Sequence, residues 1–177
     1  LIVLDCSVKG INMKTVFKSL ALAGVVFAAA GSASAAVTVA FANPDNFRDM
    51  PFSPSDRADV LKELTEHFER LGKDLPPGHD LRVEVMDLDL AGELRPNFRG
   101  HNDIRILRGG ADWPRMEVRY TLEANGQVVS RGEDALSDMM YLNRSPRYAD
   151  QDNLRYEKRM IEDWFKQKFA APKAARR

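Results

Sequence analysis

Hydrophobic and polar positions along this chain alternate, form stripes and change phase, and each pattern predicts an element. Ala36 to Asn43 sets Val37, Val39 and Phe41 against small residues, predicting a first strand stopped by Asn43-Pro44-Asp45. The loop that follows carries Pro44, Pro51 and Pro54, with Phe47 and Phe52 expected to tuck under the domain as anchors. Ser53 before Pro54 supplies an N-cap and a proline at the first helical position, and Asp56 places a carboxylate where the helix dipole favours it. Val60, Leu61, Leu64, Phe68 and Leu71 then share one helical face, with His67 at its edge and Gly72 as the stop.

The segment Leu81 to Glu93, LRVEVMDLDLAGE, breaks the simple pattern. Leu81, Val83 and Val85 are apolar at odd positions, whereas from Met86 the apolar residues are Met86, Leu88 and Leu90 at even ones. Side chains alternate strictly along a strand, so the inversion requires a bulge near Val85 or Met86, a twist that exchanges faces, or a change of environment. Each of these displays Asp87 and Asp89 together on one side.

Further on, Asp103 to Arg108 alternates Ile104 and Ile106 with charges and predicts a short edge strand broken by Gly109-Gly110. Arg115 to Ala124 is the cleanest alternation, with Met116, Val118, Tyr120 and Leu122 on one side. Asn125-Gly126 then predicts a tight hairpin returning through Gln127 to Glu133, because both central turn residues need positive φ. Met139 to Leu142 is an apolar patch without a clear period, and Asp152 or Asn153 caps a last helix reaching Phe169. On that helix Leu154, Ile161, Trp164, Phe165 and Phe169 oppose Arg155, Arg159, Glu162 and Lys166. The order β-α-β-β-β-β-α predicts an α+β fold, an antiparallel-rich sheet of four to five strands with two helices packed on one face.

The N-terminal fifth of the pattern belongs to targeting. From Met13, Lys14 and Lys18 form a positive region, Leu20 to Ala30 an uncharged apolar run, and Ala33-Ser34-Ala35 a small-residue cleavage motif, so residues 13–35 are expected to be a signal peptide cut near Ala35/Ala36. The run is shorter than the roughly 20 residues of a membrane span. Residues 1–12 read as a mis-assigned upstream extension, 36–170 as one exported domain and 171–177 as a basic tail. The expected location is periplasmic or secreted, with no transmembrane span in the mature chain.

Composition then narrows the chemistry. The single cysteine, Cys6, precedes the signal, which leaves the mature chain without a thiol nucleophile, a disulfide or a cysteine metal ligand. Removing residues 1–35 takes away three lysines and one aspartate and leaves a slightly acidic chain, with no field for nucleic acid. A G-x-S-x-G elbow, a Walker loop and an H-E-x-x-H helix are all missing from the sequence. The candidate binding residues are Asp87, Asp89, Glu93, His101 and Asp103, oxygen- and nitrogen-bearing side chains that would hold a hard divalent cation or work as an acid and base pair if folding brought them together. The plainer expectation is that Asp87 and Asp89 face water or pair with Arg105 and Arg119 on neighbouring strands.

The blocks DLDLAGE (87–93), NDIRILR (102–108), DWPRMEVRYTL (112–122), LSDMMYL (136–142) and LRYEKRMIEDWF (154–165) resemble the domain-of-unknown-function 3016 family of small exported proteobacterial proteins. The resemblance spans nearly all of the mature chain. It implies a single exported domain and carries over no activity, cofactor or catalytic residue.

Two functions follow as expectations. One is a non-enzymatic periplasmic binding or envelope-associated module that recognises an envelope protein, a peptide or a wall component, with no cofactor and no catalytic residue. The other is a metal- or carboxylate-dependent hydrolase built on the Asp87–Asp103 region, with a divalent cation as its cofactor. Pairing of chains through the edge strand at Asp103 to Arg108 is compatible with either.

Overall fold

The computed structural model describes residues 35–97 and 103–169. The chain runs through β1 (Ala36–Phe41), α1 (Pro54–Gly72), β2 (His79–Asp89), β3 (Glu93–Arg95), β4 (Ile104–Ile106), β5 (Arg115–Ala124), β6 (Gln127–Ser137) and α2 (Arg155–Phe169). The main sheet has the order β1-β2-β5-β6. β1 and β2 are parallel, joined by the crossover through α1, and the other pairs are antiparallel. This is the expected α+β fold, with one strand more than expected, β3.

The core lies under one face of this sheet. Leu81, Val83 and Val85 of β2 and Met116, Val118 and Tyr120 of β5 point to the same side, where Leu64 and Phe68 of α1 and Ile161, Trp164 and Phe165 of α2 close over them. Trp164 stands edge-on to Phe68, Tyr120 and Phe169 at centroid distances of 6.4, 6.0 and 5.1 Å, geometry that aromatic quadrupoles favour. Its indole N–H, which burial would otherwise strand, donates to Asp134 of β6 at 2.9 Å. The opposite face of the sheet is polar, with Arg119 donating at 2.8 Å to both Glu84 and Glu133 across three strands.

Local chemistry accounts for several boundaries. Ser53 is extended before Pro54 and its carbonyl accepts the first helical bond from Arg57, yet its hydroxyl pairs with Ser55 instead of capping a backbone N–H. Asp152 does cap, accepting the Leu154 N–H at 2.9 Å, although α2 itself begins at Arg155. Asn125 and Gly126 take φ values of 51° and 78°, the turn that the dipeptide predicts.

Three expectations are corrected. The segment at Ile104–Ile106 joins neither edge of the main sheet, β1 or β6; the chain turns at Gly92 into β3, and the segment pairs antiparallel with that strand in a separate two-stranded sheet. Phe47 is buried as an anchor, but Phe52 is exposed. His67, expected at the helix edge, is only 3% exposed, because its ring finds both a hydrogen-bond acceptor on α2 and an edge-on contact with Tyr148.

Candidate functional site

The phase change in β2 is a bulge. Val85 pairs with Val118 and Asp87 with Glu117, so Met86 is the extra residue. The bulge lets Leu88 keep facing the core opposite Met116, and it sets Asp87 and Asp89 on the water side of the sheet with Glu117 and Arg115 as their neighbours on β5. Beyond the bulge β1 has ended, and the backbone of Arg48 takes its place: the Arg48 N–H donates to Leu88 at 2.9 Å and its carbonyl accepts from Leu90 at 3.4 Å. That graft aims the Arg48 guanidinium between the two carboxylates, 3.7 Å from Asp87 and 3.8 Å from Asp89.

These residues floor a cleft of about 360 Å³, walled by Trp113 and Met139. The Arg115 guanidinium lies over the Trp113 ring, 4.6 Å from its centroid, and Met139 is 65% exposed at the rim. Burial, together with the charge of neighbouring Asp49, pushes the Asp89 carboxyl above its ordinary range, against the pull of Arg48 and Arg115. Asp49 itself sits at φ 51°, a left-handed position that aspartate tolerates better than most residues. Glu117 lies directly across from Asp87 and has no ion-pair partner among the described residues. The cleft therefore holds three carboxylates against two guanidinium groups, beside an indole and a thioether.

The other candidates lie elsewhere. Glu93, on the small two-stranded sheet, is gripped by Arg95 at 3.1 and 3.3 Å and by Arg108 at 3.1 Å, and the Arg95 hydrogen bond holds its carboxyl below the usual range. Asp103 accepts the Phe52 N–H at 3.2 Å and lines a second cleft of about 310 Å³ with Asp56, Asp59, Glu63 and Arg105. His101 lies outside the described residues. Asp87 and Asp89 thus come together, while Glu93 and Asp103 join other partners. Among the described residues no three His, Cys, Asp or Glu side chains are placed to hold one metal ion.

The arginines expected to answer the two aspartates are engaged elsewhere. Arg105 donates to the Asn153 carbonyl and lies 3.5 Å from the buried Glu157, and Arg119 serves Glu84 and Glu133. Arg48 was not legible as the partner, since its position depends on the proline-rich loop folding back onto β2. Trp113-Pro114, immediately before β5, was the one local signal for an aromatic wall.

The architecture defines the class: an α+β domain whose open sheet face carries a mixed-charge cleft. A family model described as a protein of unknown function, DUF3016, matches residues 35–167, and the chain belongs to that family. No curated protein matches the sequence. Among the described residues no helix is long and apolar enough to cross a membrane.

Proposed function

We propose that this protein is an exported, non-enzymatic binding module of the cell envelope, and that the cleft over the β2 bulge is its recognition surface. The partner is a protein segment presenting a basic side chain flanked by apolar ones. The observation that carries the reading is the unpaired Glu117 beside Asp87, with Trp113 and exposed Met139 forming the adjoining wall. Acidic excess and an aromatic platform in one concave surface match a cationic, partly apolar segment, and complementary charge raises encounter rates and fixes register. A sheet face already saturated with internal ion pairs, as at Arg119, would offer no such valence.

Export rests on residues 13–35, whose positive, apolar and small-residue regions suit a cleaved signal. Fractionating cells that express the chain with and without residues 13–35 tests it. The full chain is expected in the periplasmic or secreted fraction at reduced mass, and the truncated chain in the cytoplasm. Equal cytoplasmic retention of both would overturn export. Retention of the purified chain on an envelope fraction, compared with Asp87→Lys and Glu117→Lys variants, tests the cleft: the variants should release at lower salt, and identical elution would count against it.

A further inference from the structure

We propose that a second cavity, between α2 and the segment 144–150, is a binding site for a phosphate-type oxyanion, independent of the cleft over the bulge. The cavity measures about 200 Å³ and is lined by four arginines, Arg144, Arg147, Arg155 and Arg159, with Tyr148 and Tyr156 among its walls. That volume falls below the roughly 300 Å³ at which small-molecule pockets begin. It suits one tetrahedral anion or the anionic head of a larger molecule.

The four cations are not equally satisfied. Arg144 and Arg147 share Asp163, donating to its two oxygens at 2.6 Å each; Asp138 lies 3.6 Å from Arg144, and Glu162 lies 3.6 Å from Arg147. Arg155 and Arg159 have no carboxylate partner among the described residues. Arg155 donates to the Asp150 carbonyl at 2.7 Å and to the Tyr156 hydroxyl at 3.0 Å, and Arg159 donates to the Ser145 carbonyl. The Nε–H of Arg159 is buried without any acceptor. A buried donor left unmade costs free energy, and such a group in a folded protein calls for a ligand, water or ion.

Two like charges one turn apart on a helix also repel each other. Arg155 and Arg159 bear that cost on α2, and among the described residues Asp150 is the only acidic residue lining the cavity. An oxyanion seated there would relieve the repulsion and accept from guanidinium forks, whose planar donors match phosphate oxygens. Tyr148 cannot replace it, since its hydroxyl already donates to Glu162 at 2.9 Å.

The same chemistry has two sources, free phosphate and the phosphodiester of a lipid headgroup. Calorimetry of the purified chain with inorganic phosphate, at ionic strength held constant with chloride, is run beside sedimentation with phosphatidylglycerol vesicles and with phosphatidylcholine vesicles. Saturable phosphate binding identifies the free ion; binding to phosphatidylglycerol vesicles alone identifies the headgroup. In either case Arg155→Gln should weaken binding at least tenfold. Arg159→Lys keeps the charge but removes the guanidinium with its Nε donor, and it should weaken binding similarly. Arg131→Gln, on the opposite face of the sheet, should leave it unchanged. Absence of saturable binding in both arms would overturn the proposal. So would arginine-pocket variants that melt like the parent chain and bind as tightly, or an equal loss from Arg131→Gln.

Discussion

His67 donates its Nε2–H to the carbonyl oxygen of Lys158 at 2.8 Å, tying α1 to α2 across the core, while Nδ1 accepts from Arg70 at 3.3 Å. That pattern requires the neutral ring. Burial lowers the His67 pKa from 6.5 to about 4, with Arg70 and Lys158 adding to the fall and the Lys158 carbonyl and Glu162 opposing it. Between those two values the unfolded chain binds the proton and the folded chain does not, so stability falls as pH drops from about 6.5 to 4. The loss reaches about 3 kcal/mol for this group. Urea unfolding at pH 7, 5.5 and 4 should show it, and a His67→Gln variant should have a visibly flatter profile. Parallel profiles would remove His67 as the cause.

The bulge makes an unusual deletion tolerable. Without Met86 the strand reads Val85 inward, Asp87 outward, Leu88 inward, so every face assignment survives and the ladder becomes regular. Deleting Val83 instead drives Glu84 toward the core. The Met86 deletion should melt cooperatively with a near-native circular dichroism spectrum, and the Val83 deletion should not. Equal behaviour of the two would contradict the assigned register.

Glu157 has no exposed surface; it accepts the Ala91 N–H at 2.7 Å and lies 3.5 Å from Arg105. Removing one member of a buried pair leaves the other uncompensated, at a cost of about 3 to 5 kcal/mol. Arg105→Ala should therefore destabilise strongly, and adding Glu157→Gln to it should recover part of the loss. An additive double variant in denaturant unfolding would show that the two groups do not interact.

Gly92 and Gly126 both have positive φ, 80° and 78°, but their surroundings differ. A Cβ at Gly92 would stand 2.5 Å from the Ile106 carbonyl oxygen, whereas one at Gly126 meets nothing within 4 Å. Gly126→Ala should cost about 1 to 2 kcal/mol from backbone strain alone. Gly92→Ala adds a collision with backbone that cannot swing away, about 1 to 3 kcal/mol more. Thermal unfolding of the pair separates the two contributions, and equal melting temperatures would count against the tight approach of β4 to the Gly92 turn.

What was legible in the sequence was what short-range chemistry and the core dictate. The β5 alternation, the Asn125-Gly126 turn and the stripes of α1 and α2 all follow from local periodicity. The break in alternation between Val85 and Asp87 was legible too, and of the bulge, the twist and the change of environment that it allowed, the strand adopts the bulge, which keeps Val85 and Leu88 in the same core. What depended on distant chain was not. The partner of Asp87 and Asp89 is Arg48, delivered by a loop that replaces β1 beside β2. Asp103 and Glu93 read as neighbours of that pair, yet each is drawn off by a closer donor, the Phe52 N–H and Arg95. Glu157 and Lys158 are charged residues buried on α2, a placement that partners on other segments offset: Ala91 and Arg105 for Glu157, Glu63 and Asp152 for Lys158.

The most direct test of the binding module is photo-crosslinking in cells from a benzophenone amino acid placed at residue 139, on the rim of the cleft. The same probe at residue 128, exposed at the hairpin end of β6, serves as the comparison. Residue 139 should give a discrete protein adduct in the envelope fraction, lost in the Asp87→Lys, Glu117→Lys background and not formed from residue 128. No adduct from residue 139, or the same adducts from both positions, would contradict recognition through this cleft.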